Sequence, residues 1–221
     1  MNKYYLTDKN ISEKTDKWLS NLNIPQKRIK KFEFSTKKSA LLVIDMQDFF
    51  VNKKSHAFIP STITIIPRIN KLIDYYRKHN SPIIFTYHAC QKNEKPGIMK
   101  KWWGDVLTTD NPLAKISSLI NYKPTDITIQ KKRYSAFIGT NLQQLLCDKK
   151  IEKLVITGTL THLCCESTAR DAFMRDYEVY FVIDATVSDT EDLHISSLKT
   201  LTDGFVIPVK TETILKEVKH S

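Results

Sequence analysis

The chain has 221 residues, 41% hydrophobic and 26% charged, enough apolar content for one buried core and too much for a disordered chain. Five glycines are too few for collagen-like, glycine-linker or P-loop-rich architectures. No apolar run approaches the roughly 18–20 residues of a spanning helix, and the opening MNKYYLTDKNISEKTDKW has no apolar h-region. These features set the expectation of a cytoplasmic protein with no membrane partner. Thirty-four basic against 24 acidic residues give a formal charge of +10, yet the lysines are spread along the chain. Pairs such as Lys30-Lys31, Lys53-Lys54 and Lys149-Lys150 sit beside expected loops or helix ends. They read as solvated surface, and no nucleic-acid partner is expected. The net positive field favours anionic small molecules. Cys90, Cys147, Cys164 and Cys165 show no CxxC or CxxH spacing, and no disulfide framework is expected.

In chain order, residues 1–36 form a lysine-rich polar arm with a mobile tip. Its apolar Trp18, Leu19, Leu22 and Ile24 are expected to dock on the domain or on a neighbouring subunit. The domain occupies residues 37–221. Apolar runs without polar alternation fall at Ala40–Asp45, Pro82–Tyr87, Asp126–Lys131, Lys153–Gly158, Val179–Asp184 and Phe205–Val209. Such runs predict strands buried on both faces. Helices are expected at about 61–79, 139–149, 162–176 and 190–202. Residues 88–125, with Pro96-Gly97 and Trp102-Trp103-Gly104, read as an elaborated loop carrying one short helix. Strand–helix alternation predicts βαβ units: an α/β, doubly wound three-layer sandwich around a mostly parallel six-stranded sheet.

Ligands of open parallel sheets bind beyond the carboxyl ends of the strands. Asp45 ends the first run, Lys131 the third, and Cys164 follows the fourth. Asp45 reads as a helix cap or a general base. Strand parity places Lys131 and Lys132 on opposite faces of their strand and does not choose between them. Cys164 falls in the first turn of a helix that Thr161 could cap, a setting that favours a thiolate. Cys165, about 100° around that helix, reads as core. Gln47 and Arg133 are candidates to orient a polar substrate. Trp102, Trp103, Tyr134, Phe137 and Phe50 are candidate pocket walls, with Trp102-Trp103-Gly104 placed like a lid. Arg170 and Asp171 read as a structural ion-pair set, His194 as a structural helix residue, and Asp184 as a cap near the site.

The segments LLVIDMQDFF (41–50), KKRYSAF (131–137) and TGTLTHLCCESTARDAF (157–173) together resemble the isochorismatase-like hydrolase superfamily, over about residues 38–210. The resemblance implies a doubly wound α/β fold, a homo-oligomer (dimer or tetramer), a small-molecule substrate and no cofactor. It implies a triad of Asp45, Lys131 and Cys164, which settles the choice of lysine. It also implies a cis peptide at Thr159–Leu160 that turns the amides of Leu160 and Cys164 into an oxyanion hole. Nicotinamidase-like members bind metal through an Asp-x-His-x-x-His pattern, whereas Tyr87–Asn93 here holds one histidine and no aspartate. No catalytic metal is therefore expected. The implied reaction is hydrolysis of a small amide-type C–N bond through a thioester. One alternative is isochorismate hydrolysis to 2,3-dihydro-2,3-dihydroxybenzoate and pyruvate, with Cys164 a bystander. Another is a non-catalytic scaffold. In the leading reading Lys131 neutralises Asp45, the thiol pKa falls below its ordinary value, and Cys164 is the fastest cysteine to alkylate.

Overall fold

A run of apolar residues with no polar alternation needs cover on both faces, and each of the six runs becomes a strand of one sheet. The structure is a computed structural model that describes residues 4–22, 24, 26–95 and 97–216. The strands are β1 (Ser39–Ile44), β2 (Ile83–His88), β3 (Ile127–Lys131), β4 (Lys153–Thr159), β5 (Glu178–Val187) and β6 (Ile207–Val209). They lie in the order β3-β2-β1-β4-β5-β6, and every pairing among the described residues is parallel. β1 is buried throughout. The edge strand β3 alternates: Ile129 and Lys131 are buried while Thr128 is exposed. The order reverses between β1 and β4, and that switch point is where a doubly wound sheet opens a crevice.

The helices are α1 (Ile11–Asn21), α2 (Gln26–Ile29), α3 (Asp48–Val51), α4 (Thr62–Lys78), α5 (Ile98–Trp103), α6 (Leu142–Asp148), α7 (Glu166–Phe173), α8 (Glu191–Gly204) and α9 (Thr211–Leu215). α4 turns Ile65, Ile69, Leu72, Ile73 and Tyr76 onto one buried stripe and packs across β1, β2, β4 and β5. α7 and α8 pack on each other and on β5 and β6 respectively. α8 begins at Thr190, whose Oγ1 accepts the Leu193 N–H at 3.3 Å, with Glu191 and Asp192 in its first turn. Among the described residues no helix is long and apolar enough to cross a membrane.

Several sequence expectations change in detail. The 162–176 helix is a π turn at Thr161–Cys165 followed by α7, and Thr161 does not cap it. Arg170 pairs with Glu166 at 2.7 Å and Asp171 with Arg175 at 2.8 Å, both one turn apart, so the two are not partners of each other. β5 runs past Asp184 to Val187. Asp184 Oδ1 accepts the Thr211 N–H at 2.7 Å, capping α9. The 88–125 stretch holds α5 and a 3-10 turn at Pro112–Ala114. The arm docks on its own domain. α1 places Ile11, Thr15 and Trp18 on one buried face, and Tyr5, Leu6 and Leu22 join the same core. Burying Leu6 and Ile11 contributes roughly 1.5–3 kcal/mol each. The tip expected to be mobile, residues 1–3, lies outside the described residues.

β4 and β1 meet most closely at Gly158, opposite Ile44. Gly158 has φ of +111°, and a Cβ there would lie 2.0 Å from the Ile44 carbonyl oxygen. Gly158→Ala should therefore destabilise the protein by about 3 kcal/mol or more, or prevent folding. Thermal unfolding with circular dichroism measures this. A variant with wild-type Tm would show that the two strand ends can separate freely.

Candidate active site

Three carboxyl ends bring three groups together. Asp45 leaves β1 with φ of +48°, a left-handed conformation that Asp tolerates better than most residues. Its main-chain N–H faces the Thr86 carbonyl at 3.2 Å, and the Thr86 hydroxyl donates to Asp45 Oδ1 at 2.6 Å. Oδ2 faces Lys131 Nζ at 2.7 Å. Lys131 ends β3 on the face of Ile129. Its ammonium has three protons and three acceptors: Asp45 Oδ2, Cys164 Sγ at 3.1 Å and the Arg133 carbonyl at 3.1 Å. Lys132 points away and pairs with Glu94. Asp45 is 0% exposed, Lys131 1% and Cys164 6%.

Cys164 sits on the π turn, and its carbonyl accepts the Thr168 hydroxyl at 2.7 Å. The Thr159–Leu160 peptide just before the turn is cis. The sulfur is not the low-pKa thiolate expected from sequence. Burial pushes the Cys164 thiol up to about 12; Lys131 pulls it down, and the negative charge of Asp45 pushes it up again. For Lys131, burial acts to lower the pKa, but Asp45 and Cys164 together outweigh it and the net shift is upward. At rest the sulfur is thus a thiol beside the Lys131 ammonium. Burial, invisible in a first-turn argument, reverses the expected direction.

A cavity of about 280 Å³ opens above Cys164. Its walls include Phe49, Phe50, Ile59, Met99, Leu107, Leu160 and Leu163, with Trp103 and Tyr134 joined by a hydrogen bond from Trp103 Nε1 to the Tyr134 hydroxyl at 2.8 Å. Polar lining comes from His56, His88, Asp105 and Asp189. His88 ends β2, in register with Lys131. Burial, reinforced by Lys131, lowers its pKa to about 4, so its ring is neutral.

Of the residues singled out from sequence, Leu160, Trp103, Tyr134, Phe50 and Cys164 line this cavity, and Asp45 and Lys131 lie beneath Cys164. Gln47, Arg133, Phe137, Thr159 and Trp102 are not among the lining residues. Gln47 is fully buried and clamps the end of β2. Its Oε1 accepts the His88 N–H at 2.7 Å, and its Nε2 donates to Ala114 O at 2.7 Å and His88 O at 3.2 Å. Arg133 contributes its carbonyl to Lys131, and its guanidinium turns back onto Lys132 O at 2.8 Å. Phe137 stacks on Tyr177, and Trp102 is 75% exposed. Thr86, Phe49, Leu163 and Asp189 went unseen in the sequence. Thr86 had a signal, the one small polar residue inside the run PIIFTY. The others come together only in the folded chain.

Among the described residues no group of three or more His, Cys, Asp or Glu is placed to hold an ion.

Two outcomes follow from this geometry. Without substrate, iodoacetamide at pH 7 should label exposed Cys147 before Cys164, and Cys164 labelling should climb steeply as pH rises toward 9. Peptide mapping by mass spectrometry reads both rates, and a Cys164 that labels first would mean a thiolate at rest. Lys131→Met leaves a buried carboxylate without its cation and should cost about 3–5 kcal/mol, read by denaturant unfolding.

The comparisons with known proteins agree with this architecture. The isochorismatase domain family matches residues 39–213. Enterobactin synthase component B of Escherichia coli K12 is 34% identical over 194 residues, covering 87% of this chain and 67% of that protein. Nicotinamidase 3 of Arabidopsis thaliana is 32% identical over 187 residues, covering 83% of this chain and 90% of that protein. The crystal structure of a cysteine hydrolase from Pseudomonas syringae pv. phaseolicola 1448A superposes with a TM-score of 0.80 at 24% identity, over 85% of this chain and 95% of the other. A doubly wound parallel sheet with a crevice at its switch point, matched by the family over most of its length, makes this chain a member of the isochorismatase-like hydrolase superfamily and an enzyme.

Proposed function

We propose that the chain hydrolyses a small, uncharged amide-type C–N bond through a thioester on Cys164. The observation that carries this reading is the layering of the site. Cys164 meets the cavity, while Asp45 and Lys131 lie enclosed beneath it. A group that touches substrate first is the one placed to attack it.

In this reading Asp45 takes the Cys164 proton as the sulfur adds to the substrate carbonyl. The Leu160 and Cys164 amides hold the resulting oxyanion. The C–N bond breaks, the electron pair leaves with nitrogen, and Asp45 returns the proton to the departing amine. Water then adds to the thioester while Asp45 accepts its proton. Collapse releases the acid, and the proton returns to sulfur. Lys131 stays an ammonium throughout, holding Asp45 in place and offsetting negative charge on sulfur. A volume of about 280 Å³ suits a small molecule.

Isochorismate hydrolysis is the second reading, supported by the likeness of Lys131–Phe137 to that branch. It requires Asp45 to reach substrate directly, and Asp45 does not line the cavity. Isochorismate is also a dicarboxylate. Among the described residues the lining includes Asp105 and Asp189 and no lysine or arginine to pair with two carboxylates. The four free thiols suit a reducing cytoplasm, and the resemblance adds a homo-oligomer that sedimentation would size.

A panel of neutral small amides, charged amides and isochorismate, assayed with wild type and Cys164→Ala, tests the reading. Turnover of a neutral amide is expected, falling about 10³-fold or more in Cys164→Ala and surviving a metal chelator. Isochorismate turnover that persists in Cys164→Ala would transfer the protein to the second reading. Activity lost on chelation and restored by zinc would show a metal site.

A further inference from the structure

Two routes, one polar and one through a ring contact, run from the N-terminal arm to the turn that carries Cys164. In the first, Tyr5 Oη accepts the Ser188 N–H at 3.1 Å. Ser188 Oγ in turn accepts the His162 N–H at 3.3 Å and lies 2.9 Å from His162 Nδ1. In the second, the Trp18 ring packs on His194 with centroids 4.6 Å apart, and Trp18 Nε1 donates to Glu191 Oε1 at 3.0 Å. His194 Nδ1 lies 2.8 Å from Thr161 Oγ1. Glu191 also pairs with Lys14 of the arm. The routes end on Thr161 and His162, the first two residues of the π turn. Thr161, His194 and Trp18 are buried, so these links lie out of solvent competition.

We propose that the arm is a positioning brace for the cysteine, with Tyr5 and Trp18 as positioning residues acting through Ser188 and His194. The proposal rests on the reading of Cys164 as the reacting group. A purely apolar anchor would bury α1 without polar links to this turn. Here each arm aromatic spends its polar atom on the β5–α8 junction; Ser188 of that junction holds the His162 N–H, and His194 of α8 holds the Thr161 hydroxyl, two and three residues ahead of Cys164. Tyr5 and Trp18 lie outside residues 39–213, the stretch that matches the family model.

The test uses iodoacetamide on the full chain, with Cys164 read against Cys90, which is buried just past β2 and bridged to Thr108, and has no hydrogen bond to Thr161 or His162. Cys90 reports general opening and Cys164 reports the turn. In Tyr5→Phe and Trp18→Ala, Cys164 labelling should change by about fivefold or more with Cys90 unchanged, and Trp18→Phe should recover part of the Trp18→Ala effect. If Trp18→Ala does not fold, Tyr5→Phe and Trp18→Phe decide the matter. Cys164 and Cys90 shifting together, or Cys164 unmoved in Tyr5→Phe and Trp18→Phe, would overturn the brace and leave the arm a stability element. These rates report the position of Cys164 whether or not it proves to be the nucleophile, so failure of the brace and failure of the proposed reaction stay distinct.

Discussion

A lysine and an aspartate share a pocket with no solvent, and the surrounding architecture is organised to make that tolerable. Removing two ions from water costs several kcal/mol each, and attraction offsets this only where geometry satisfies the remaining protons and lone pairs. Here the ammonium finds three acceptors, and the second carboxylate oxygen takes the Thr86 hydroxyl. The requirement reaches outward. Asp45 must adopt a left-handed backbone, β2 must end where Gln47 grips it, and Gly158 must let β4 lie against Ile44. Each constraint acts on backbone, which explains how three side chains at or beyond three strand ends meet.

The same enclosure governs the thiol. A cation 3.1 Å from sulfur would suggest an activated nucleophile, but desolvation and the nearby carboxylate outweigh it. A neutral thiol beside an ion pair keeps the buried group at zero net charge. In the proposed cycle, protons pass between neighbours inside that neutral set, so no step requires an uncompensated charge in the interior.

The fold was legible because buried parallel strands have a plain signature, six apolar runs with reactive residues at their ends. The identity of the lysine was not. β3 is an edge strand with alternating burial, so parity gives two faces and no means of ranking them; the motif around Lys131 supplied what the pattern lacked. α1 was missed because its stripe of Ile11, Thr15 and Trp18 is short and diluted by lysines. Gln47 and Arg133 stood as candidates to orient substrate or as structural hydrogen-bonders, because polarity next to a family motif carries no label. Only tertiary packing shows that Gln47 spends its amide on the backbone of β2. The direction of the thiol pKa depends on solvent exclusion, a property of the assembled core that spacing along a chain does not encode.

Floor and walls of the cavity come from different parts of the fold. Asp45 and Lys131 stand on strand ends, whereas Phe49, Ala57, Met99, Asp105, Leu163 and Asp189 belong to the segments between strands. Connecting segments accept substitution and insertion far more readily than sheet backbone. A lineage can therefore rewrite what it binds by editing loops while the reactive base is inherited intact, one scaffold giving rise to many substrate preferences. The largely apolar recess of this chain is one setting of that dial, and the stretch from residue 88 to 107, which supplies His88, Met99, Trp103, Asp105 and Leu107, is where the next setting would be written.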